Sequence, residues 1–312
     1  MDEDRRLKSA IALTGATGFI GRELQRQLCA AGMPVRALVR PNTRHASHLL
    51  PAVERHQVAL DDERALAAAL QDVATVVYCA GSVRGAGPAD FAGANIDGLR
   101  HLCRAASQLP TPPHILLISS LAATRPHLSD YARSKFEGEQ VLRATALPWT
   151  VLRPPAVYGP GDREMLPLFR AIRSGIALIV GPRAQRLSLL HVEDLARAVL
   201  ACLAHREQCA GKIFEPDDER ADGYGWTDIV DAARGAMPVV QLTIPRAVLN
   251  LIAHINLGLS RVFRYAPMLT PGKVRELSEP SWLCDNSGLR AATGWVPQVS
   301  LRTGITRLFG RA

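Results

Sequence analysis

Short apolar runs alternate with longer amphipathic segments through the first half of the chain. The short runs are typical of buried strands and the longer segments of helices, so their alternation predicts a parallel sheet joined by crossover helices. We predict strands at 9–13, 35–39, 75–79, 115–119 and 150–152, and helices at 20–31, 62–70, 95–109 and 130–145. The fold class that follows is α/β, with a right-handed, doubly wound parallel sheet.

The alternation ends at Pro155, beyond which the segments are short and separated by proline and glycine. We predict a helix at 166–174, followed by an apolar segment at 175–181. A helix at 192–204, with His191 just before it, and a strand at 212–215 are interpreted as returns to the main sheet. We therefore assign 1–155 and 191–218 to a main domain, and 156–190 and 219–312 to a smaller, mostly helical cap.

The composition is that of a soluble globular protein. Of the 312 residues, 47% are hydrophobic and 21% charged, which excludes a disordered or collagen-like chain. The net charge is +8, but the arginines are spread along the chain, so we predict no nucleic-acid partner. Lysine is rare, which makes the position of each one informative: Lys8, Lys135, Lys212 and Lys273.

No segment is predicted to span a membrane. The most apolar one, 247–263, is interrupted by Asn250, His254, Asn256, Ser260 and Arg261. The charged start, Met1 to Arg6, leaves no room for the apolar part of a signal peptide, so we expect a cytoplasmic protein. The six cysteines form no CxxC pair, which argues against a metal site. We expect buried free thiols at the four that lie in apolar patterns, Cys29, Cys79, Cys103 and Cys202.

A glycine-rich run separates the first predicted strand from the first helix. Gly15 permits a tight turn, Gly18 lets backbone N–H groups approach a pyrophosphate, and Gly21 lets the helix lie close to the sheet. A glycine turn without a ligand is the alternative, but the position between strand and helix favours a dinucleotide site of the Rossmann type. The expected contacts are Gly15, Thr17, Gly18, Phe19, Ile20 and Gly21.

The second predicted strand ends at Arg40, with Arg44 close behind. An NAD enzyme usually places a carboxylate there for the ribose hydroxyls. A guanidinium can instead hold a 2′-phosphate through two hydrogen bonds, so we predict NADP(H), with NAD(H) as the alternative. A solvated arginine in an arginine-rich chain is the other interpretation.

Tyr131 and Lys135 stand four residues apart on a predicted helix and therefore share one face. A neighbouring cation favours the phenolate, so we expect Lys135 to lower the pKa of Tyr131 toward the working range of a general acid or base. Ser120, at the end of the preceding strand, can hydrogen-bond the same substrate oxygen.

With these residues the chain resembles an extended-type short-chain dehydrogenase/reductase, of the NAD-dependent epimerase/dehydratase and 3β-hydroxysteroid dehydrogenase-like superfamily. The similarity covers nearly the whole chain. Its motifs are Thr14-Gly-Ala-Thr-Gly-Phe-Ile-Gly21, Cys79-Ala-Gly81, Asn95-Ile-Asp-Gly98, Ser119-Ser120, the Tyr131/Lys135 pair, Arg153-Pro-Pro-Ala-Val-Tyr-Gly159, His191-Val-Glu-Asp194 and Gly294-Trp-Val-Pro297.

The resemblance implies a role for each matching residue. Tyr131 would be the acid or base, Lys135 would tune its pKa and bind the nicotinamide ribose, and Ser120 would orient the substrate. Asn95 would hold the helix behind the proton relay, although an ordinary helix N-cap is an equal alternative. Further cofactor contacts would come from Leu60, Asp61, Ala80, Gly81, Pro154, Pro155 and Tyr131 itself. His191 and Asp194 are interpreted as structural, with Asp194 serving the start of its helix.

Three positions depart from the family pattern. Ala59 stands where relatives place an adenine-contacting Asp, so that contact is missing or comes from Asp61. Only eleven positions separate Ser120 from Tyr131, which shortens one wall of the cleft. Leu187 stands where sugar-nucleotide epimerases commonly have an arginine for the substrate pyrophosphate, with Arg186 one place away.

Three functions fit these observations. The first is NADP(H)-dependent interconversion of a carbonyl and a secondary alcohol on a small molecule. The apolar stretch 248–263 suits a lipid-like substrate, and packing explains it equally well. The second is nucleotide-sugar epimerisation or dehydration, with phosphates held by Arg153, Arg163, Arg183 and Arg186. The third is a non-catalytic dinucleotide sensor or accessory subunit. The resemblance also implies a homodimer through the helices at 95–109 and 130–145.

Overall fold

The computed structural model describes residues 10–43, 45–235 and 238–310. The charged start of the chain, Ser9 of the first predicted strand, and Arg44 lie outside these ranges. Within them, no helix is both long and apolar enough to cross a membrane.

Seven parallel strands form the main sheet, in the order β11-β6-β5-β4-β1-β2-β3. They are β1 (Ala10–Thr14), β2 (Val35–Val39), β3 (Glu54–Gln57), β4 (Val73–Tyr78), β5 (His114–Ile118), β6 (Trp149–Leu152) and β11 (Lys212–Phe214). The predicted doubly wound α/β class is confirmed. Our prediction missed β3, because this edge strand reads Glu-Arg-His-Gln and is mostly exposed.

Helices cover both faces of the main sheet. One face carries α1 (Phe19–Ala30) and α7 (Val192–Ala204), and the other carries α2 (Glu63–Ala69), α4 (Gly98–Ser107) and α5 (Asp130–Arg143), where α4 follows a short helix α3 (Pro88–Ala92). Successive residues of β1 enter opposite cores, Ile11 and Leu13 beneath α1, and Ala12 beneath α4. Burial on both faces explains why the strands are continuous apolar runs.

The second part of the chain adds three small parallel sheets: β7 (Ala156–Tyr158) with β10 (Leu189–His191), β8 (Ile176–Val180) with β12 (Val240–Ile244), and β9 (Arg186–Leu187) with β13 (Ser281–Trp282). Its helices are α6 (Leu166–Arg173), α8 (Arg206–Cys209), α9 (Trp226–Ala233), α10 (Arg246–Phe263), α11 (Pro271–Leu277), α12 (Ser287–Thr293) and α13 (Leu301–Phe309). The helical cap is present, but β12 and β13 were not predicted.

Part of the cap packs against the main sheet and its helices. Leu289 of α12 and the nearby Trp295 pack into the core beneath α1 and α7. The division of the chain at 155, 190 and 218 stays a prediction.

All six cysteines are free thiols. Cys103, Cys202 and Cys209 are buried, whereas Cys29, Cys79 and Cys284 are only partly buried. Full burial was thus a wrong prediction for Cys29 and Cys79, both of which lie at the ends of their elements.

Candidate active site

A cleft of about 1160 Å³ opens at the carboxyl ends of the main strands, beneath the cap. This is the edge where open α/β sheets bind ligands. The cap side of the cleft is largely apolar. The main domain contributes twelve of the residues predicted from sequence: Gly15, Thr17, Gly18, Phe19, Ile20, Gly21, Gly81, Ser120, Tyr131, Lys135, Pro154 and Pro155.

The glycine loop packs too closely to admit side chains. Gly15 has a φ of 67°, and a Cβ there would lie 2.6 Å from the carbonyl oxygen of Cys79. A Cβ at Gly21 would lie 2.1 Å from the carbonyl oxygen of Gly15. Because Gly18 caps α1 without a side chain, the first turn of the helix presents its backbone N–H groups toward the cleft. The residues present therefore fit a dinucleotide pyrophosphate.

A buried glutamine holds the glycine loop against the segment after β2. Gln25 donates from Nε2 to the carbonyl oxygens of Ala16 and His48, each at 3.0 Å, and its Oε1 accepts from the N–H of Leu50. His48 and His45 consequently line the cleft, with their rings stacked at 5.2 Å. Sequence reasoning missed both histidines, since their approach depends on this tertiary contact.

Lys135 is buried on α5 and points back at the sheet. Its Nζ donates to the carbonyl oxygen of Ile118 at 3.0 Å. Burial lowers the pKa of Lys135 to about 8, against the opposing influence of Cys79 and Glu139. The ammonium is therefore close to its titration point at physiological pH.

The pKa of Tyr131 moves in the direction opposite to our prediction. Burial raises the pKa of the phenol to about 12, a hydrogen bond with Ser120 opposes the rise, and the Glu276 carboxylate adds to it. The expected lowering by Lys135 was wrong: loss of water around the phenol is the largest influence on its pKa, and Lys135 is not among the causes of the shift. Tyr131 thus holds its proton at neutral pH, as a proton donor must.

Ser120 is placed by the turn that follows β5. Its Oγ accepts the N–H of Ala122 at 3.2 Å, and the N–H of Leu121 bonds to the carbonyl oxygen of Pro154 at 2.8 Å. These bonds bring the end of β5 beside the segment after β6. Ser120 and Tyr131 both line the cleft, and their side chains are close enough to hydrogen-bond each other.

Asn95 lies inside a single π-helical turn, Gly93–Asp97, that precedes α4. Its side chain bonds to both backbone polar groups of Ser82 at 3.0 Å and donates to Ser134 Oγ at 2.8 Å. The N-cap alternative was therefore wrong, and the predicted helix start at 95 belongs to the π turn. The freed carbonyl of Ala94 accepts the Tyr78 hydroxyl at 2.7 Å.

Asn95 is buried behind the cleft wall rather than within it. Gly81 lies between Asn95 and Lys135: a Cβ at Gly81 would meet Asn95 Oδ1 at 3.0 Å and Lys135 Nζ at 3.3 Å. Through Ser134, Asn95 thus fixes α5 close to its reactive end.

Four predicted cofactor residues do not line the cleft. Arg40 and Asp61 are exposed, Leu60 packs in the core beneath α4, and Ala80 donates its N–H to Thr14 Oγ1 at 3.0 Å. Their roles as contacts stay predictions.

The structural interpretation of His191 and Asp194 fits their contacts. His191 caps α7, its Nδ1 accepting the N–H of Glu193 at 3.3 Å. Asp194 instead accepts the N–H groups of Gln298 and Val299, both at 2.8 Å. It therefore fastens the C-terminal segment to α7, in whose first turn it lies.

Glu276 is a cleft residue that sequence reasoning missed. It is buried on α11, where its carboxylate accepts from Ser129 Oγ and from Lys273 Nζ, the latter at 2.8 Å. Ser129 also caps α5 through the N–H of Ala132. The cap is thereby tied to the start of the helix that carries Tyr131.

The family model described as "NAD dependent epimerase/dehydratase family" matches residues 11–215, which span the main sheet from β1 to β11. The chain belongs to this family. It is accordingly an NAD(P)-dependent oxidoreductase or epimerase of the extended short-chain dehydrogenase/reductase type.

Two curated relatives of this epimerase/dehydratase-family chain are reductases. The "Ceramide reductase" of Caulobacter vibrioides is 35% identical over 279 residues, covering 88% of this chain and 86% of that protein. The "2-alkyl-3-oxoalkanoate reductase" of Stenotrophomonas maltophilia is 29% identical, covering 96% and 98%.

A solved structure with the same fold is an epimerase. The UDP-glucuronic acid 4-epimerase of Bacillus cereus, in complex with UDP-glucuronic acid and NAD, aligns with a TM-score of 0.71 over 95% of this chain and 96% of that one, at 18% identity. At this identity the likeness concerns the fold alone.

Proposed function

We propose that this protein is an NADP(H)-dependent reductase that converts a ketone on a long-chain lipid into a secondary alcohol, and catalyses the reverse oxidation. The observation that carries the proposal is that Ser120, Tyr131 and Lys135 all line a cleft whose cap side is largely apolar. Lipid ketones need both features, a polar end for the oxygen and an apolar wall for the chain.

In this proposal a reduced nicotinamide cofactor would supply the hydride needed at the carbonyl carbon. Tyr131 donates its proton to the carbonyl oxygen, which becomes the alcohol hydroxyl. Ser120 donates a hydrogen bond to the same oxygen, and the positive charge of Lys135 stabilises the phenolate left on Tyr131. The N–H groups around Gly18 would hold the pyrophosphate.

The apolar wall comes from both segments that we assign to the cap, 156–190 and 219–312. It is formed by Met165, Leu168, Leu178, Val180, Leu187, Ile229, Leu257, Met268 and Leu269. Pockets of this lining bind hydrocarbon, with a few polar groups fixing the orientation. The names of the two reductase relatives agree with such a substrate.

A nucleotide-sugar epimerase is the second candidate, favoured by the fold it shares with the UDP-glucuronic acid enzyme. Of the four arginines proposed for its phosphates, only Arg163 lines the cleft. Arg153 is paired with Glu139, and Arg186 lies 3.6 Å from Asp228. These contacts favour the reductase, and the presence of Ser120, Tyr131 and Lys135 together favours an enzyme over a non-catalytic subunit.

The deciding experiment is an absorbance assay of nicotinamide oxidation. Purified protein is mixed with NADPH and a long-chain β-keto lipid, or with UDP-glucose. We expect stoichiometric NADPH consumption with the keto lipid. Conversion of the sugar nucleotide without net consumption, together with NAD that stays bound through purification, would establish the epimerase instead.

Arg40→Asp tests the choice of NADP(H). Leu38 pairs with Thr14 across the sheet, so Arg40 emerges at the edge that carries the glycine loop. Replacing a guanidinium by a carboxylate removes bonds to the 2′-phosphate and adds repulsion. We expect NADPH affinity to fall more than about tenfold, with NADH little changed, in a fluorescence titration. Arg302→Asp, the same change at an exposed site on α13, is the control. A wild-type protein that prefers NADH would contradict the prediction.

The pKa of Lys135 predicts the pH dependence of reduction. As pH rises through about 8, Lys135 loses its positive charge, while Tyr131, with a pKa of about 12, keeps its proton. Because the charge stabilises the developing phenolate, we expect kcat/KM for reduction to be highest below pH 8 and to decline above it.

A pH profile of the Lys135→Arg variant provides the control. Arginine stays protonated throughout this range, so its profile should lack the decline even if its rate is lower. A wild-type profile that is flat across pH 8 would contradict the assignment.

We also propose a cytoplasmic homodimer formed through α4 and α5, as the resemblance implies. Light scattering of the purified protein tests the dimer.

A further inference from the structure

The outer side of α10 is apolar and exposed along its whole length. Its large side chains there are Val248, Leu251, Ile252, Ile255, Leu259, Val262 and Phe263, each more than two fifths exposed. At 100° per residue they fall within an arc of about 120°. Residues such as Leu249 and Ala253, on a different side of the helix, are buried. We call the seven exposed residues the α10 stripe.

The paired strands β8 and β12 add a second apolar surface. Ile176 is the register partner of Val240, and Leu178 of Leu242, so all four side chains lie on one face of the ribbon. Each is more than two fifths exposed. The alternate residue Ala177 is fully buried on the opposite face.

The ribbon packs against α10, the helix that carries the stripe, and residues of both elements line the cleft. Val180 and Ile244, at the ends of the two strands, pack against Leu249 and Ala253 of α10. Leu178 and Val180 also line the cleft, as does Leu257 of α10. The apolar wall of the cleft thus continues outward onto the exposed surface.

The charge around this surface has one sign. The sequence contains no Asp or Glu between Glu164 and Glu193, or between Asp231 and Glu276. The first stretch contains α6 and β8, and the second β12 and α10. Exposed arginines accompany the apolar residues, among them Arg246, Arg261 and Arg264. An apolar face built from segments that contain basic and no acidic residues complements anionic lipid headgroups, which a carboxylate would repel.

The arrangement suits a helix that lies on a membrane rather than one that crosses it. Beyond its buried side, α10 is tied to the following loop, where Asn256 Nδ2 donates to the carbonyl oxygen of Leu269 at 2.8 Å. A helix fixed in this way can sink only its free stripe into the headgroup region.

We propose that the α10 stripe and the β8–β12 face bind the surface of an anionic lipid bilayer and hold the cleft mouth against it. A hydrocarbon chain can then pass from the bilayer to the cleft without crossing water. The binding itself is independent of the catalytic assignment, whereas the entry route rests on the proposed lipid-ketone reductase.

Flotation of the full chain with vesicles tests the binding. Vesicles of phosphatidylcholine alone are compared with vesicles containing an equal amount of phosphatidylglycerol. We expect binding to the anionic vesicles that weakens with added salt. The double variant Leu251→Asp and Ile255→Asp should lower partitioning at least about tenfold. Val296→Asp, a matched change at an exposed valine beside Trp295, should bind as the wild type does. Circular dichroism and NADPH titration verify that each variant is folded.

Three results would overturn the proposal. The first is a wild type that does not float with the anionic vesicles, and the second is a double variant that floats as well as the wild type. A wild-type dimer that the double variant converts to a monomer would assign the surface to a second copy of the chain.

An activity comparison separates this proposal from the proposed function. With a short, water-soluble ketone the double variant should keep the wild-type rate, and with a long-chain ketone presented in vesicles its rate should fall. Vesicle binding without reduction of any ketone would refute the function and leave the membrane surface standing.

Discussion

Tyr131→Phe is expected to lower kcat for ketone reduction by about a hundredfold to ten-thousandfold while NADPH affinity stays within about twofold. The substitution removes one oxygen from the cleft and leaves the ring beside Phe91, which it contacts at a centroid distance of 6.1 Å. The substrate oxygen then loses its proton donor. The glycine loop, Lys135 and the aromatic ring at position 131 remain, so NADPH binding should change little.

Steady-state kinetics with saturating NADPH and a fluorescence titration give the two quantities. Tyr265→Phe removes the same oxygen from an exposed tyrosine outside the cleft and should leave kcat unchanged. A Tyr131→Phe enzyme with the wild-type rate would refute the assigned mechanism. Loss of NADPH binding in the same variant would show that Tyr131 serves the cofactor rather than the proton.

The part of the site that could be predicted is the part encoded by local spacing. Gly15, Gly18 and Gly21 mark a strand-turn-helix junction, and the four-residue separation of Tyr131 and Lys135 places both on one side of α5. The α/β class could be predicted too, because the buried strands are continuous apolar runs that alternate with helices. The polar edge strand β3 gave no such pattern.

The rest depends on contacts between distant segments. The π turn around Asn95 is stabilised by the hydroxyl of Tyr78, and Glu276 reaches the cleft only because α11 packs beside Ser129. The upward shift of the Tyr131 pKa also depends on such contacts, because they bury the phenol. The four-residue spacing places Lys135 on the same side of the helix as Tyr131. Only the fold shows how strongly burial desolvates the Tyr131 phenol.

A buried ion pair holds together the three segments that build the reactive end of the cleft. Glu139, fully buried on α5, binds Arg153 through both oxygens, with Nη2 to Oε2 at 2.6 Å and Nε to Oε1 at 3.0 Å. Ser119 Oγ also donates to Glu139, at 2.5 Å. Ser119 precedes Ser120, Arg153 precedes Pro154, and Glu139 is one helical turn beyond Lys135. The carboxylate therefore links the three segments that carry these site residues.

Glu139→Ala is accordingly expected to destabilise the fold by about 3–5 kcal/mol, because it leaves the partly buried Arg153 without its main partner. Urea unfolding at neutral pH measures the loss. Glu137→Ala, at an exposed position on the same helix, should change the free energy of unfolding by no more than about 0.5 kcal/mol. Equal effects of the two substitutions would show that the pair contributes nothing to holding α5 in place.

The double variant Glu139→Leu with Arg153→Met distinguishes stability from positioning. Two apolar side chains avoid an unpaired buried charge, so much of the lost stability should return. Neither side chain can hydrogen-bond Ser119, so the end of β5 is no longer fixed to α5. We therefore expect kcat to stay low in a protein whose free energy of unfolding is close to that of the wild type. Recovery of kcat along with stability would instead mean that packing alone aligns Ser120 with Tyr131.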